Sequence, residues 1–330
     1  MNKKRILSLV IVLVIAVSCF GLGIYSYDRE KKYPFAEKNS YAMGTIVSQK
    51  VYGDYSAKHI EKGKLLISSV ENVISRNIDS SKITKLNNNG TVTDSDTAKV
   101  IAQCIELNKK TDGAFDVTVG KVVDLWDFGG DNEGIPSQKE LEKALSATGS
   151  LKLEGNTLKL GKGAEVDLGA VGKGLACDSV ISLYKATEDC MGAVVSVGGS
   201  IGCFGSSNKK GDPWRIAVRH PRSENEFLGI LSLKEGFVST SGDYEKFFMN
   251  DGERYHHILD ARTGYPACSG LISVTVICDS GFLSDALSTA CFILGEEKGA
   301  QLLREYNASA IFVDEDMNIT TVGEADFEKY

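Results

Sequence analysis

The chain has 330 residues, 42% of them hydrophobic and 25% charged, enough apolar material for one large or two modest domains with a real core. Its formal net charge of −7 comes without long acidic or basic runs, so no nucleic-acid partner is expected, and an anionic ligand has to be held by local positive groups or a metal. Eight cysteines, none in C-x-x-C spacing, lend no support to a zinc or thioredoxin-like site.

Met1-Asn-Lys-Lys-Arg5 followed by the apolar run from Ile6 to Cys19 reads as an export signal. Residues 1–25 are accordingly a signal peptide or membrane anchor, in one of two forms. A lipoprotein-like site at Cys19, after Ala16-Val-Ser18, is favoured by the cysteine's position. An uncleaved run continuing through Phe20 to Tyr25, about 20 residues, is the alternative and is long enough to span a bilayer. Either form places the rest of the chain at the extracytoplasmic face of the cell membrane. Residues 26–40 are polar and charged with one proline and read as a tether, and 41–330 as a single folded domain.

Within that domain, Lys64 to Ile74 carries Leu66, Val70, Val73 and Ile74 at helical spacing, and Thr97 to Asn108 repeats the pattern with Val100, Ile101, Cys104 and Ile105 before Gly113. Ser137-Gln-Lys-Glu140 after Pro136 is a capping box opening a third helix, with Leu141 and Leu145 facing inward. Leu151 to Leu160 alternates on both sides of Gly155-Asn156, which predicts a hairpin. A short strand is expected to end at Asp167 and a helix to run over Leu175 to Leu183. The remainder is mostly strands, at Ala193–Val197, Trp214–Val218, Leu228–Leu233, Tyr255–Leu259 and Ile272–Cys278. Two helices follow, Phe282–Leu294 and Lys298–Tyr306, and a terminal strand at Ala310–Val313. Helices and antiparallel-looking strands are partly segregated, so the fold class is α+β. Apart from Cys19, the cysteines sit mostly among apolar neighbours and read as small buried hydrophobes, with a disulfide left open in an exported protein.

The most distinctive stretch is Glu165-Val-Asp-Leu-Gly-Ala-Val-Gly-Lys-Gly174, an apolar-and-acidic lead into a glycine-rich turn with one lysine. Gly169, Gly172 and Gly174 fit a close backbone approach to a ligand, the helix behind them favours an anion, and Lys173 adds a point charge. The Walker pattern fails, because Asp167 stands where its first glycine belongs and Gly174 follows the lysine. The dinucleotide fingerprint fails too, since Cys177 follows Gly172-Lys-Gly174 at the third position. Taken alone, a tight turn with a solvated lysine explains the stretch equally well.

Other motifs break that tie. Val238-Ser-Thr-Ser-Gly-Asp-Tyr244, Arg254-Tyr-His-His-Ile-Leu-Asp-Ala-Arg-Thr-Gly264 and Ser284-Asp-Ala-Leu-Ser-Thr-Ala290 follow in order, with Met43-Gly-Thr45, Gly113-Ala-Phe-Asp-Val-Thr118 and Leu125-Trp126 upstream. Together with the glycine turn they resemble the ApbE flavin transferases, the FAD:protein FMN transferases, over nearly all of residues 41 to 315. The chain departs from the family where Ala261 replaces a proline, where Ala170-Val-Gly-Lys-Gly174 replaces Gly-Ile-Ala-Lys-Gly, and where Asn77 stands at a position often aromatic.

The resemblance implies a single T-fold-like catalytic domain, with mostly antiparallel sheet and flanking helices, that moves FMN from FAD to a threonine hydroxyl of an exported flavin-acceptor protein and releases AMP. It implies magnesium (Mg2+) as cofactor, held by the Asp285 carboxylate, the Thr289 hydroxyl and the Ala170 carbonyl, with FAD as substrate. Asp285 and Thr289 lie one turn apart on a predicted helix, and such oxygen donors suit a hard cation. FAD contacts are implied at Met43, Ala114, Phe115, Asp116, Asp167, Lys173 and His257. His257 is also the implied proton acceptor and Asp285 the implied catalytic carboxylate. His256, on the opposite face of a strand, is the weaker choice. Thr240-Ser-Gly-Asp243 and Gly198-Gly199 are expected near the pocket, and Asp260 with Arg262 as a supporting pair. Two other readings stay open: an FAD pyrophosphatase, with water replacing the threonine, and a non-catalytic FAD-binding lipoprotein.

Overall fold

The structure is a computed structural model, and it describes residues 34–206, 208 and 211–330. The expected export signal, Cys19 and the first part of the tether lie outside the described residues. Among the described residues no helix is long and apolar enough to cross a membrane.

In chain order the elements are β1 (Phe35–Ala42), β2 (Thr45–Gly53), α1 (Ser56–Ile74), α2 (Lys82–Asn89), β3 (Thr91–Thr93), α3 (Ser95–Lys110), α4 (Gly120–Trp126), α5 (Gln138–Leu145), β4 (Lys152–Glu154), β5 (Thr157–Lys159) and α6 (Gly172–Lys185). The second half holds β6 (Cys190–Val197), β7 (Ser200–Gly205), β8 (Trp214–Arg219), β9 (Phe227–Leu233), β10 (Gly236–Gly242), β11 (Phe247–Asn250), β12 (Glu253–His256) and β13 (Leu271–Cys278). It ends with α7 (Gly281–Leu294), α8 (Glu296–Glu305), β14 (Ser309–Asp314), β15 (Ile319–Val322) and β16 (Phe327–Lys329).

The fold is α+β, as expected. An eight-stranded sheet runs in the order β1-β2-β6-β7-β10-β13-β14-β15 with every pairing antiparallel. The strands of its middle are covered on both faces. From β13, Val274, Val276 and Cys278 join a cluster with Phe282, Ala286, Ala290 and Phe292 of α7. Ile272 joins Trp214, Ile216 and Leu231 of the small sheet β16-β9-β8 on the opposite side. Nearer the β1 edge, Val47, Val51, Ala193 and Val195 pack on Ile60 and Ile67 of α1 and Val180 and Ile181 of α6. Apolar side chains on both faces of a strand remove the alternation that a half-exposed strand would show, which is why Leu271–Cys278 reads as one continuous apolar run.

Several elements match their sequence signals. The capping box is present in full, with Ser137 and Glu140 each bonding the other's backbone, and Leu141 is buried. β4 and β5 form the expected hairpin, and β3 joins them. The first helix starts at Ser56, eight residues before Lys64, and its deepest apolar residues are Ile60 and Ile67. Three readings are corrected. Phe35 to Ser40, read as tether, belong to β1, which pairs with β2 along its whole length. No strand ends at Asp167; the segment makes a single parallel bridge between Val119 and Glu165, closed by the Gly120 and Asp167 N–H bonds, before the chain turns at Gly169. Tyr255–Leu259 is strand only to His256, after which Leu259 makes one bridge to Pro266.

Candidate active site

Two glycines bring α6 and α7 into backbone contact. A Cβ on Gly174 would lie 1.9 Å from the Gly281 carbonyl oxygen, and one on Gly281 would lie 2.4 Å from that of Gly174. No other residue fits that crossing. Polar bonds lock it. Asp178 of α6 accepts from the N–H groups of Gly281 (2.8 Å) and Phe282 (2.6 Å), filling the open N-terminus of α7. In return, Asp285 of α7 accepts from the Gly174 N–H at 2.9 Å. The anion held by the α6 N-terminus is thus the chain's own Asp285 carboxylate, where a ligand phosphate was expected.

Asp285 is only 5% exposed. Burial pushes its carboxyl above the ordinary range, while Lys173 and the Gly174 N–H pull the other way. Lys173 Nζ stands 4.0 Å from Asp285 Oδ1 and donates to the Gly169 carbonyl at 3.2 Å. One turn along α7, Thr289 Oγ1 lies 3.2 Å from Ser241 Oγ of β10, which also meets Ser288 Oγ at 2.8 Å. The serines of β10 face α7 through hydroxyl pairs of this kind, Ser239 with Ser284 being another at 2.8 Å. The Gly198-Gly199 turn between β6 and β7 closes the same corner. A Cβ on Gly198 would sit 3.0 Å from Thr45 Oγ1 and 3.4 Å from Lys173 Cδ.

The two histidines separate cleanly. His256 is buried, its Nε2 donates to the Ala267 carbonyl at 3.1 Å, and its Nδ1 accepts from the Ile258 N–H at 3.3 Å, so both nitrogens are used. It is a core histidine standing edge-on to Phe292. His257 Nδ1 lies 3.2 Å from the Lys246 carbonyl. A carbonyl can only accept, so Nδ1 carries the hydrogen and Nε2 keeps its lone pair. Burial holds the His257 imidazole down at about 4, and Lys173 and Lys246 add to the effect against the Lys246 carbonyl. The Lys173 charge thus favours the ionised form of Asp285 and the neutral form of His257.

Of the remaining expected contacts, Ala114, Phe115, Asp116 and Asp167 lie on two loops that touch, and Met43 lies on a hairpin turn. Ala114 and Phe115 are fully buried in the main core. Asp116 Oδ1 accepts from the Thr118 N–H and hydroxyl, both at 2.7 Å. Asp167 donates its N–H to the Val117 carbonyl at 2.7 Å and accepts from the Gly169 N–H at 2.7 Å. Its other oxygen pairs with Arg76 Nε at 3.0 Å. Met43 sits with φ 53 in a two-residue turn with Gly44 at φ 70, joining β1 to β2 as a type I′ hairpin turn, and its N–H bonds Glu71 at 2.9 Å. Asp260 and Arg262 do pair, through Arg262 Nε and Nη2. Ala261, where the resembled family has proline, donates its N–H to the Ala114 carbonyl at 3.2 Å, a bond that proline could not make. Asn77 is exposed and offers no ring.

Sequence reasoning missed Arg76 and Asp178. Asp178 leaves a signal, a carboxylate one turn after Gly174 on the buried side of a helix; Arg76 leaves none, since its partners lie 44 to 91 residues away. A separate crevice of about 230 Å³ lies between the large sheet and β8, lined by Ser48, Val194, Ser196, Ile201 and Arg215 among others, and contains none of the residues above.

The residues above lie within a range that matches a known family. The model of the ApbE family matches residues 43–312. The FAD:protein FMN transferase of Treponema pallidum (strain Nichols) is 31% identical over 344 aligned positions, covering 96% of this chain and 92% of the relative. That of Haemophilus influenzae (strain Rd) is 30% identical over 348 positions, covering 99% and 98%. Among solved structures, the ApbE protein of Thermotoga maritima superposes with a TM-score of 0.80 at 34% identity, covering 87% of this chain and 97% of that one. The apo form of the Pseudomonas stutzeri flavinyl transferase ApbE gives 0.77 at 28% identity, covering 90% and 95%. A match that spans the hairpin turn at Met43, the α6–α7 crossing and the segment with His257 alike places this chain in the ApbE family.

Proposed function

We propose that this chain is an FAD:protein FMN transferase, working outside the cytoplasmic membrane and tethered there through its first 25 residues. The activity is the one named for its relatives. The observation that carries it is Lys173, which stands 4.0 Å from the buried Asp285 at the start of α6 and whose positive charge also favours the neutral form of His257.

In the proposed reaction, a threonine hydroxyl of an exported acceptor attacks the FMN-side phosphorus of FAD. A new P–O bond forms to the threonine, the bond from that phosphorus to the bridging oxygen breaks, and AMP leaves with that oxygen. His257 Nε2 accepts the hydroxyl proton. Its Nδ1–H stays on the Lys246 carbonyl and fixes the ring. Lys173 places a positive charge where the pyrophosphate carries its negative charge. Phosphoryl transfer of this kind needs positioning and charge neutralisation more than a protein nucleophile.

The donor set suits magnesium. Asp285 offers a carboxylate whose Oδ2 accepts from the Gly174 N–H and whose Oδ1 stands 4.0 Å from Lys173 Nζ, Thr289 a hydroxyl on the same helix face, and Ala170 a carbonyl in the turn ahead of α6. All are hard oxygens, and a cation beside the buried carboxylate would offset its desolvation. Among the described residues no group of three or more His, Cys, Asp or Glu forms another metal site. When bound, magnesium would neutralise charge on the pyrophosphate and the leaving phosphate.

The test is to incubate the protein with FAD, magnesium and a threonine-bearing exported acceptor, and to record intact mass and released nucleotide. One FMN added to the acceptor with AMP in solution is expected. Free FMN and AMP would mean a pyrophosphatase, and unchanged FAD a binding protein. Asp285→Ala should abolish magnesium-dependent turnover while FAD binding persists in part; full activity in that variant would overturn the metal assignment.

A further inference from the structure

Arg76 follows the C-terminal end of α1, and its side chain is 15% exposed. Its guanidinium is used on every side. Nη1 donates to the Gly120 carbonyl at 3.2 Å and to Glu165 Oε1 at 2.9 Å, Nη2 donates to Asp124, and Nε pairs with Asp167 Oδ2 at 3.0 Å. Gly120 and Asp124 belong to α4. Glu165 and Asp167 belong to the lead into the glycine turn. The same two segments are joined by backbone bonds from Gly120 N–H to the Glu165 carbonyl at 2.8 Å and from Asp167 N–H to the Val117 carbonyl at 2.7 Å. One planar fork thus bolts together the loop carrying Ala114 to Asp116 and the loop carrying Asp167.

Resting on the transferase reading above, we propose that Arg76 is a positioning residue for FAD: it holds the 114–120 and 165–169 loops in the arrangement that receives the dinucleotide, without touching the reacting phosphorus. Asp167, with one oxygen on Arg76 and the other on the Gly169 N–H, is a strut in that arrangement.

Two arguments separate this role from one in the chemical step. The first is anchoring. Beyond Gly169 the chain is fixed independently, by buried Val171, by the Gly174 bond to Asp285 and by the Gly174–Gly281 contact. Release of Arg76 would loosen the loops before the turn while Lys173, Asp285 and Thr289 keep their places. The second is charge. Asp124, Glu165 and Asp167 face two cations, Arg76 and Lys121, and Lys121 reaches Asp124 and Glu165. Asp167 has Arg76. Losing the guanidinium would leave Asp167 uncompensated beside a substrate that carries two phosphates, which weakens binding more than it slows a bound substrate.

The experiment uses the full chain. FAD binding is measured by flavin fluorescence without acceptor or magnesium, AMP release is followed at varied FAD, and thermal midpoints are recorded for wild type, Arg76→Lys, Arg76→Gln, Asp167→Asn and the Arg76→Gln/Asp167→Asn pair. Lysine keeps the charge but cannot reproduce the fork, so R76K is expected to raise the KM for FAD about tenfold with kcat within about threefold and a midpoint near wild type. R76Q should be worse than R76K in KM. Because the two residues act as one unit, the double variant should bind FAD no more weakly than R76Q alone. Unchanged FAD affinity in R76K, a loss confined to kcat, or losses that multiply in the double variant would each overturn the proposal. If R76Q does not fold, R76K and D167N still decide it. A wild-type chain that fails to bind FAD would remove the transferase reading itself, and this proposal with it.

Discussion

A neutral imidazole with one nitrogen committed to a carbonyl is a base for as long as it stays neutral, so the acid range over which His257 works is set by what surrounds it. Burial and the nearby lysines hold it at about 4, against an ordinary 6.5. Between those values the unfolded chain binds a proton that the folded chain does not, so stability rises with pH across that window. The contribution of His257 is complete above 6.5 and disappears as pH falls toward 4. Denaturant midpoints measured from pH 4 to 7 should therefore fall more steeply on acidification for wild type than for His257→Gln; parallel curves would remove the depressed value. The same quantity governs kcat/KM, which reports the free enzyme. An acid limb near pH 4 fits the neutral base, and one near 6.5 would mean that the imidazole is open to water.

The active elements meet through backbone, and this makes the α6–α7 crossing the least tolerant part of the fold. Gly174 and Gly281 have no room for a methyl group, and Asp178 and Asp285 each fill the N-terminus of the opposite helix. Gly174→Ala would push Gly281 away and lengthen the bond to Asp285. Overpacking of this kind costs about 1–3 kcal/mol, occasionally more. A thermal midpoint several degrees below wild type is expected, together with weaker magnesium dependence of turnover, since Asp285 moves with α7. The neighbouring Gly172→Ala is the control: its Cβ would meet the Ile74 Cδ1 methyl at 2.9 Å and Met43 Cε at 3.3 Å, both ends of side chains that can shift. Equal losses at the two glycines would show that the backbone contact has no special standing.

At the scale of the whole molecule, legibility follows burial. α3, α5, α7 and β13 were readable because their apolar residues follow one period or one unbroken run. β1 was not, since an edge strand with the sequence Phe-Ala-Glu-Lys-Asn-Ser-Tyr-Ala has little to bury. The segment Thr240 to Asp243, expected near the pocket, left a second role unread: Ser239, Thr240 and Ser241 of β10 pair their hydroxyls with those of α7 and β13. The Arg76 hub has no local pattern at all. The cysteines give the clearest case of chemistry decided by the fold as a whole. Cys104, Cys177, Cys190, Cys203, Cys278 and Cys291 are buried, Cys268 is exposed, and all seven described cysteines are free thiols. Burial pushes Cys104, Cys203 and Cys291 up to about 12 and Cys190 to about 11, so almost no thiolate exists there near neutrality. Alkylation of the native protein mapped by peptide mass should therefore mark Cys268 first among the seven, with the others reacting only after denaturant is added. A second cysteine labelled as fast as Cys268 would mean that a layer of the fold opens under native conditions. A pair found oxidised would contradict the buried-thiol reading for an exported chain.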